Sequence, residues 1–361
     1  MKLDRIKIAG YKSIREQEIE LSNLNVLIGA NGAGKSNFVS VFELLSEMME
    51  GRLQQFVARA GGADALLFFG QKETEEVALL LRCGRSHYSC VLVPTADDRF
   101  AFRHESAGFG HQGSLLGGGH GESKLPERAK AAKQHRDIAL DMRDAITGWK
   151  VYHFHDTSES AKVMKACDIN DNIYFRPDGS NLASFLYSLH NGSGGHYDLI
   201  RDTVRMVAPF FDDFVLRPMP ENENKIGLEW QEKGSDRPFL AHYLSDGTLR
   251  FMCLATLLLQ PNPPSTVIID EPELGLHPYA IAVLASMLRS ASERTQVIVS
   301  TQSVSLVNQL KLEDILIVER VEKASVFRRL CADDMKGWLD EFDGYYGLGD
   351  LWEKNLFGGR P

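Results

Sequence analysis

At 361 residues the chain is long enough for two lobes, or one elaborated domain, and for a large core without disulfide staples. Its 43% hydrophobic and 25% charged residues exclude disordered, collagen-like and mucin-like classes. A formal charge of −9 argues against a surface coated in basic residues for nucleic acid, and leaves room for one local basic groove.

The longest apolar stretch, Phe251 to Leu259, falls far short of the ~20 residues that span a bilayer. The N-terminus alternates charge with Leu and Ile, unlike a signal peptide, so a cytoplasmic protein with no membrane contact is expected. The cysteines at 83, 90, 167, 253 and 331 form no C-x-x-C pair and read as reduced thiols. Cys83 and Cys90 flank a turn and are candidates to face each other.

In chain order, strands are expected around Leu3 to Ile8, Gln17–Leu21 and Leu24–Ile28, then a helix over Lys35–Met49 with Phe38, Val41, Phe42, Leu45 and Met49 on one face. Val77–Arg82, Tyr88–Val93 and Arg99–His104 read as an antiparallel meander. Glycine-rich Ser106–Gly121 reads as a mobile loop or insertion boundary. A helix is expected over Glu127–Gly148, with Ala131, Ile138, Met142, Ala145 and Trp149 on one arc and Lys133, Arg136 and Arg143 on a solvated basic edge. A second helical zone covers Asn181–Val207, followed by strands at Val215–Pro218 and Lys225–Trp230.

The last third alternates helix and strand: Thr248–Leu259, Thr266–Ile269, His277–Ser290, Gln296–Val299, Val304–Leu310 and Ile315–Glu319. Such alternation predicts a parallel sheet covered on both faces. The expected division is 1–105 (β-rich), 106–210 (loop and helical insertion) and 211–361.

Gly29-Ala30-Asn31-Gly32-Ala33-Gly34-Lys35-Ser36 matches G-x-x-x-x-G-K-[ST] in full, between a strand and a helix. The glycines let successive N–H groups point at phosphate oxygens, and the helix N-terminus adds the positive end of its dipole. Lys35 would reach the β- and γ-phosphates of ATP, Ser36 would join a Mg²⁺ shell, and Asn37 completes the cofactor-binding run. The apolar strand Val267-Ile-Ile ends in Asp270-Glu271, at the edge where ligands sit in open α/β sheets. Asp270 would hold Mg²⁺, directly or through water, and Glu271 would orient and deprotonate the attacking water.

Leu244-Ser245-Asp246-Gly247, then a helix, then a strand ending in Asp-Glu resembles the ABC-type ATPases. That resemblance implies that Ser245 and the Gly247 backbone touch nucleotide in trans, so that ATP joins two heads. Asp246 and Thr248 depart from the family's L-S-G-G-Q pattern. Ile6-Lys-Ile-Ala-Gly-Tyr-Lys12-Ser13 resembles the opening strand of the RecF, SMC and OLD ATPases, and Ile269-Asp-Glu-Pro-Glu273-Leu-Gly-Leu-His277-Pro278 resembles the Walker B segment and D-loop of OLD-like ATPases. Gln302 stands where the family places its switch histidine. It can hydrogen-bond the γ-phosphate or water but cannot act as a protonatable sensor.

No sustained heptads occupy the space of SMC arms, and the 58 residues after Ser303 show no Toprim nuclease constellation, with Asp333-Asp334 reading as an exposed acidic turn. The resemblance therefore implies an α/β P-loop NTPase head of the ABC type, with an N-terminal antiparallel β lobe and a helical insertion. It implies an ATPase using ATP and Mg²⁺, with catalytic Lys35, Glu271 and Gln302, that dimerises on ATP. Such a head would control a nuclease or toxin subunit in DNA repair or antiphage defence, with DNA as a weak ligand. The alternatives are a low-turnover nucleotide-held scaffold and, further off, a transporter's nucleotide-binding subunit.

Weaker signals complete the sequence. His153-Phe-His155-Asp156 closes a strand and reads as packing or a contact near nucleotide rather than a metal half-site. Asp178-Gly-Ser-Asn181 reads as a turn into a helix cap. A second protein is expected to dock on Ser106–Gly148 or on the tail Asp340–Pro361, within which the amphipathic Leu348–Asn355 otherwise packs on the body.

Overall fold

The computed structural model describes residues 1–110, 112–131, 137–331 and 347–359. Two six-stranded sheets dominate it. The first is antiparallel throughout, in the spatial order Ile14–Glu20, Arg5–Tyr11, Val77–Cys83, Ser86–Pro94, Phe100–Phe109, Gln112–Gly117. Its strands alternate inward and outward: Val77, Leu79, Leu81 and Cys83 are buried, while Arg5 and Lys7 pair with Glu18, Glu20 and Glu16 on the open face.

The second sheet runs Ala324–Arg329, Ile315–Val321, Leu24–Ile28, Gln296–Thr301, Thr266–Asp270, Trp149–Tyr152, parallel except for the outer hairpin. Leu24–Ile28 and Gln296–Thr301 are buried at every position, as a sheet covered on both faces requires. Period-two alternation divides each strand between two cores. Val267, Ile269, Val297 and Val299 pack with the helices Leu182–Gly192, Gly194–Val207, Asp246–Leu259 and Pro278–Ser292. Ile268 and Ile298 face the other way, onto the helix Lys35–Met49 and the antiparallel lobe.

The strands of the first hundred residues and the helix Lys35–Met49 lie where periodicity places them. Five differences are physical. Ser106–Gly121 is not a loop: Phe100–Phe109 and Gln112–Gly117 form a hairpin, because glycine does not prevent pairing at a sheet edge. The helix expected over Glu127–Gly148 gives way to Leu125–Lys130 and Ile138–Thr147, the latter started by Asp137 accepting from the Ala139 N–H at 2.9 Å. Lys133 and Arg136 lie outside the described residues. Trp149, expected on the helical arc, opens the edge strand and packs its ring 5.9 Å from Phe42.

The zone Asn181–Val207 breaks at Ser193, between Gly192 and Gly194. Finally, Ala324–Arg329 pairs back onto Ile315–Val321 through a turn in which Glu322 and Lys323 take φ of 47° and 69°. Leu125, Met142 and Ile146 share a core with the antiparallel lobe, and Leu182, Leu186, Ile200 and Val204 share one with the C-terminal helices.

Cys83 stands opposite Ser86 and Cys90 opposite Leu79, so the two thiols do not face each other, and burial pushes Cys83 up to about 12. No helix among the described residues is long and apolar enough to cross a membrane. Asp333-Asp334 lies outside the described residues, whereas Leu348–Glu353 forms a helix packed on the body through Leu351 and Trp352.

Candidate active site

The glycine-rich segment joins the buried strand Leu24–Ile28 to the helix Lys35–Met49. Gly34 takes φ 115°, and a Cβ there would collide with the Ser325 and Ser13 hydroxyls. The helix start has no side-chain cap and no acid in its first turn, which leaves its N–H groups for an anion. Lys35 is buried, and its ammonium donates to the Gly29 and Ala30 carbonyls. Burial lowers its pKa, opposed by the charges of Glu271, Asp270 and Glu273.

A cavity of about 130 Å³ opens here, lined by Ala30, Asn31, Gly32, Gly34, Lys35, Ser36 and Asn37 with Glu271 and Gln302. Three segments far apart in sequence thus converge. Asp270 ends its strand one strand beyond Gln296–Thr301, accepting from the Ser300 hydroxyl on one oxygen and from Ser36 Oγ at 3.3 Å on the other. The Glu271 N–H donates to Ser300 O at 2.8 Å, and Glu271 takes φ 43° immediately before Pro272. A non-glycine residue so placed stores roughly 1–3 kcal/mol of strain. Gln302 Nε2 donates to Glu271 Oε1 at 2.6 Å. Ser36 and Asp270 bring a hydroxyl and a carboxylate together, a hard-oxygen pair that fits Mg²⁺, which takes few protein ligands beside phosphate oxygens.

Beneath the loop runs a relay that sequence reading missed. Asn37 Nδ2 donates to Ser13 Oγ at 2.7 Å, Ser13 is bonded to Ser325 Oγ at 2.7 Å, and Ser325 donates to the Ala33 carbonyl. Ser325 has one proton and gives it to Ala33, so Ser13 is the donor between the two hydroxyls. Lys12, with φ 46°, donates to Ser40 Oγ at 3.0 Å beside it. Ser325→Ala would strand the buried Ser13 donor. A loss of about 1–3 kcal/mol is expected, read as a lower denaturant midpoint together with weaker nucleotide affinity.

Ser245 and Gly247 are not brought to this cavity within the chain. Ser245 starts the helix Asp246–Leu259, its Oγ accepting from Thr248 N at 3.2 Å, and a Cβ on Gly247 would collide with Gly275 O. Buried Arg250 ties that helix to Phe154 O at 2.9 Å, His155 O at 3.1 Å and the Leu274 carbonyl. Tyr243, Leu274 and Tyr279 are exposed.

His153 Nε2 meets Glu43 Oε1 at 2.9 Å, and this contact raises the imidazole's pKa. The pair therefore contributes stability below the ordinary histidine value of about 6.5 and loses it as pH rises through the raised one. His153→Ala should flatten that decline in denaturant midpoints taken from pH ~5 to ~8. Asp156 is spent on Ser158, and among the described residues no group of three or more His, Cys, Asp or Glu is placed to hold a metal. Asp178 caps Ser180 N at 3.1 Å and pairs with Lys162, while buried Asn181 holds Arg176 N, Asp171 O and Tyr174 O.

A profile described as an AAA ATPase domain matches residues 1–77. Among solved structures, the SMC head bound to the C-winged helix domain of ScpA is 15% identical, covering 93% of this chain and 100% of its own, with a TM-score of 0.60. The Smc head domain with an extended coiled coil, bound to the C-terminal domain of ScpA derived from Pyrococcus furiosus, is 14% identical, covering 94% and 99%, with a TM-score of 0.56. These likenesses show the fold, a P-loop NTPase head of the ABC-ATPase type. No curated protein matches the sequence. A second profile matches residues 123–308, just over half of the chain, and the protein belongs to that family, described as "AAA domain, putative AbiEii toxin, Type IV TA system".

Proposed function

We propose that the chain is a Mg²⁺-dependent ATP-hydrolysing switch of the RecF/OLD-like branch, which closes on a second copy when ATP binds. The observation that carries the reading is the convergence of Lys35, Ser36 with Asp270, and Glu271 with Gln302 around one cavity at the uncapped start of a helix. The uncapped N–H groups of that helix and of the glycine-rich turn hold the phosphates. Lys35 leaves the Gly29 and Ala30 carbonyls for the β- and γ-phosphate oxygens, and the charge there is what the reaction must neutralise. Mg²⁺ held by Ser36 and Asp270 would supply the remaining neutralisation. Glu271 accepts a proton from the attacking water, and Gln302 gives up its bond to Glu271 to orient that water or the γ-phosphate.

Ser245 and Gly247 lie outside the cavity of their own chain, which is the arrangement expected if each covers the γ-phosphate of a partner copy. Exposed Tyr243, Leu274 and Tyr279 would supply apolar area around that contact. Phosphate release, measured beside light scattering with and without ATP and Mg²⁺, tests both halves. Ser245→Arg should block closure by clash and charge, and ATP-dependent dimers in that variant would overturn the trans contact.

An effector subunit, a nuclease or toxin acting in repair or antiphage defence, is the proposed output, with nucleic acid a weaker, salt-sensitive ligand. The SMC heads named above are bound to ScpA domains, and the matched family's description names a toxin system; both support a partnered ATPase. Docking is proposed on residues 106–148 or on the tail 340–361, of which 111, 132–136, 340–346 and 360–361 lie outside the described residues. Removing 108–121 is not the neutral deletion that a loop would allow, because it takes away an edge strand. Leu115→Asp is the better test. Leu115 is 68% exposed on the uncharged edge strand Gln112–Gly117, and the substitution should weaken effector capture while leaving hydrolysis intact.

The 2.6 Å bond from Gln302 to Glu271 favours a second reading, a low-turnover scaffold that sequesters its effector. The amide N–H occupies the carboxylate oxygen that would take a proton from water, so turnover must first break this bond. ATP binding with negligible steady-state hydrolysis in the wild type would select that reading.

A further inference from the structure

We propose that Glu273, which the reaction as described leaves unused, is a positioning residue. Its carboxylate clasps the segment Thr301–Gln302 and so sets the Gln302 side chain against Glu271. This rests on the reading of Glu271 and Gln302 given above.

Glu271 and Glu273 leave one turn, joined by buried Pro272, in different directions. Glu271 lines the cavity, whereas Glu273 does not. Glu273 Oε1 accepts from the Thr301 hydroxyl and from the Gln302 N–H at 3.3 Å. Thr301 Oγ1 in turn accepts from Ser303 N at 2.9 Å, so the first turn beyond the strand Gln296–Thr301 is pinned. Gln302 is therefore held twice: its main chain by Glu273 and its side chain by Glu271.

The clasp is made at a cost. Glu273 Oε2 is buried with no hydrogen-bond partner, and no cation pairs with the carboxylate among the described residues. Burial accordingly raises the pKa of this acid, against the pull of the Thr301 and main-chain donors. A surface acid kept only for solubility would not be sunk beside the Glu271 carboxylate.

A role as second base does not fit. Both donors occupy the one oxygen with partners, and the residue does not face the space where water and phosphate meet. What the geometry provides is an anchor. When the Gln302 amide leaves Glu271 during turnover, its main chain stays in place, so the side chain swings about a fixed point. Losing that point misplaces the Gln302 amide without touching the phosphate cradle at Gly29–Ser36. The rate of chemistry should fall while ATP affinity holds.

The test compares wild type, Glu273→Ala, Glu273→Gln and Thr301→Val in steady-state and single-turnover ATP hydrolysis, with hydrogen exchange of the Gln302 amide followed in nucleotide-free protein. Glu273→Ala should lower kcat by about 10- to 100-fold with KM for ATP within about twofold. Glu273→Gln should restore kcat to within about threefold, because its amide oxygen still accepts both donors. Thr301→Val removes one of the two donors and should fall between them, which keeps the test open if Glu273→Ala fails to fold. A Glu273→Gln rate as low as that of Glu273→Ala would overturn the clasp in favour of a role for the charge or proton. A raised KM with unchanged kcat would overturn it as well.

If the wild type itself turns over no ATP, the proposed hydrolysis fails separately, and the amide exchange then decides. Faster exchange at Gln302 in Glu273→Ala, restored in Glu273→Gln, supports the clasp. Unchanged protection overturns it.

Discussion

Lys35→Ala should stop ATP hydrolysis and weaken ATP binding by at least ~10²-fold, the scale on which removing one preorganised electrostatic stabiliser is felt. Among the described residues lining the phosphate cavity, Lys35 is the only cation. Its ammonium is drawn down by burial and pulled back by three carboxylates, an environment suited to a charge that must meet phosphate in a partly dry site. The variant gives up bonds to the Gly29 and Ala30 carbonyls. A thermal melt taken beside calorimetric titration with ATP separates that local loss from loss of binding. An unchanged hydrolysis rate would sink the assignment of this loop to phosphate.

Glu271→Gln keeps the side chain's size and removes the base. Hydrolysis should fall by about 10²- to 10⁴-fold while ATP still binds. ATP that is bound and not consumed holds the closed state, so dimers should accumulate at micromolar protein in light scattering with ATP and Mg²⁺. A variant that binds ATP and stays monomeric counts against the trans contact through Ser245 and Gly247. The backbone strain at Glu271 sharpens the reading, because a residue held at φ 43° before proline is aimed rather than placed for convenience.

What was legible in the chain was local. The strand, glycine-rich turn and helix spanning Leu24–Met49 are contiguous and lie where the motif and the apolar spacing place them, as does the apolar strand that ends in Asp270-Glu271. Gln302, singled out by its position along the chain, donates to Glu271. Ser325 was not found, since nothing near residue 325 announces that its hydroxyl will reach Ala33 and Ser13. Glu273 was read only as part of a Walker B motif, and its bond to Thr301 depends on two neighbouring parallel strands ending together. The same limit explains the hairpin Phe100–Gly117 and the edge strand Trp149–Tyr152: composition reports flexibility or a helical arc, and pairing partners elsewhere decide otherwise.

The strand Leu24–Ile28, which carries the phosphate loop, has as its two neighbours Gln296–Thr301 and Ile315–Val321. A ribosome adding roughly 5–20 residues each second delivers those neighbours tens of seconds after the loop has emerged. Until then the glycine-rich turn has no flanking strands, no Ser325 beneath it and no Asp270 opposite Ser36. The nascent chain can therefore close its first antiparallel meander early but cannot assemble the ATP cradle until the segment carrying Ser325 has emerged. Its apolar strand must wait unpaired while residues 29–295 are made, the period in which a chaperone would have most to shield.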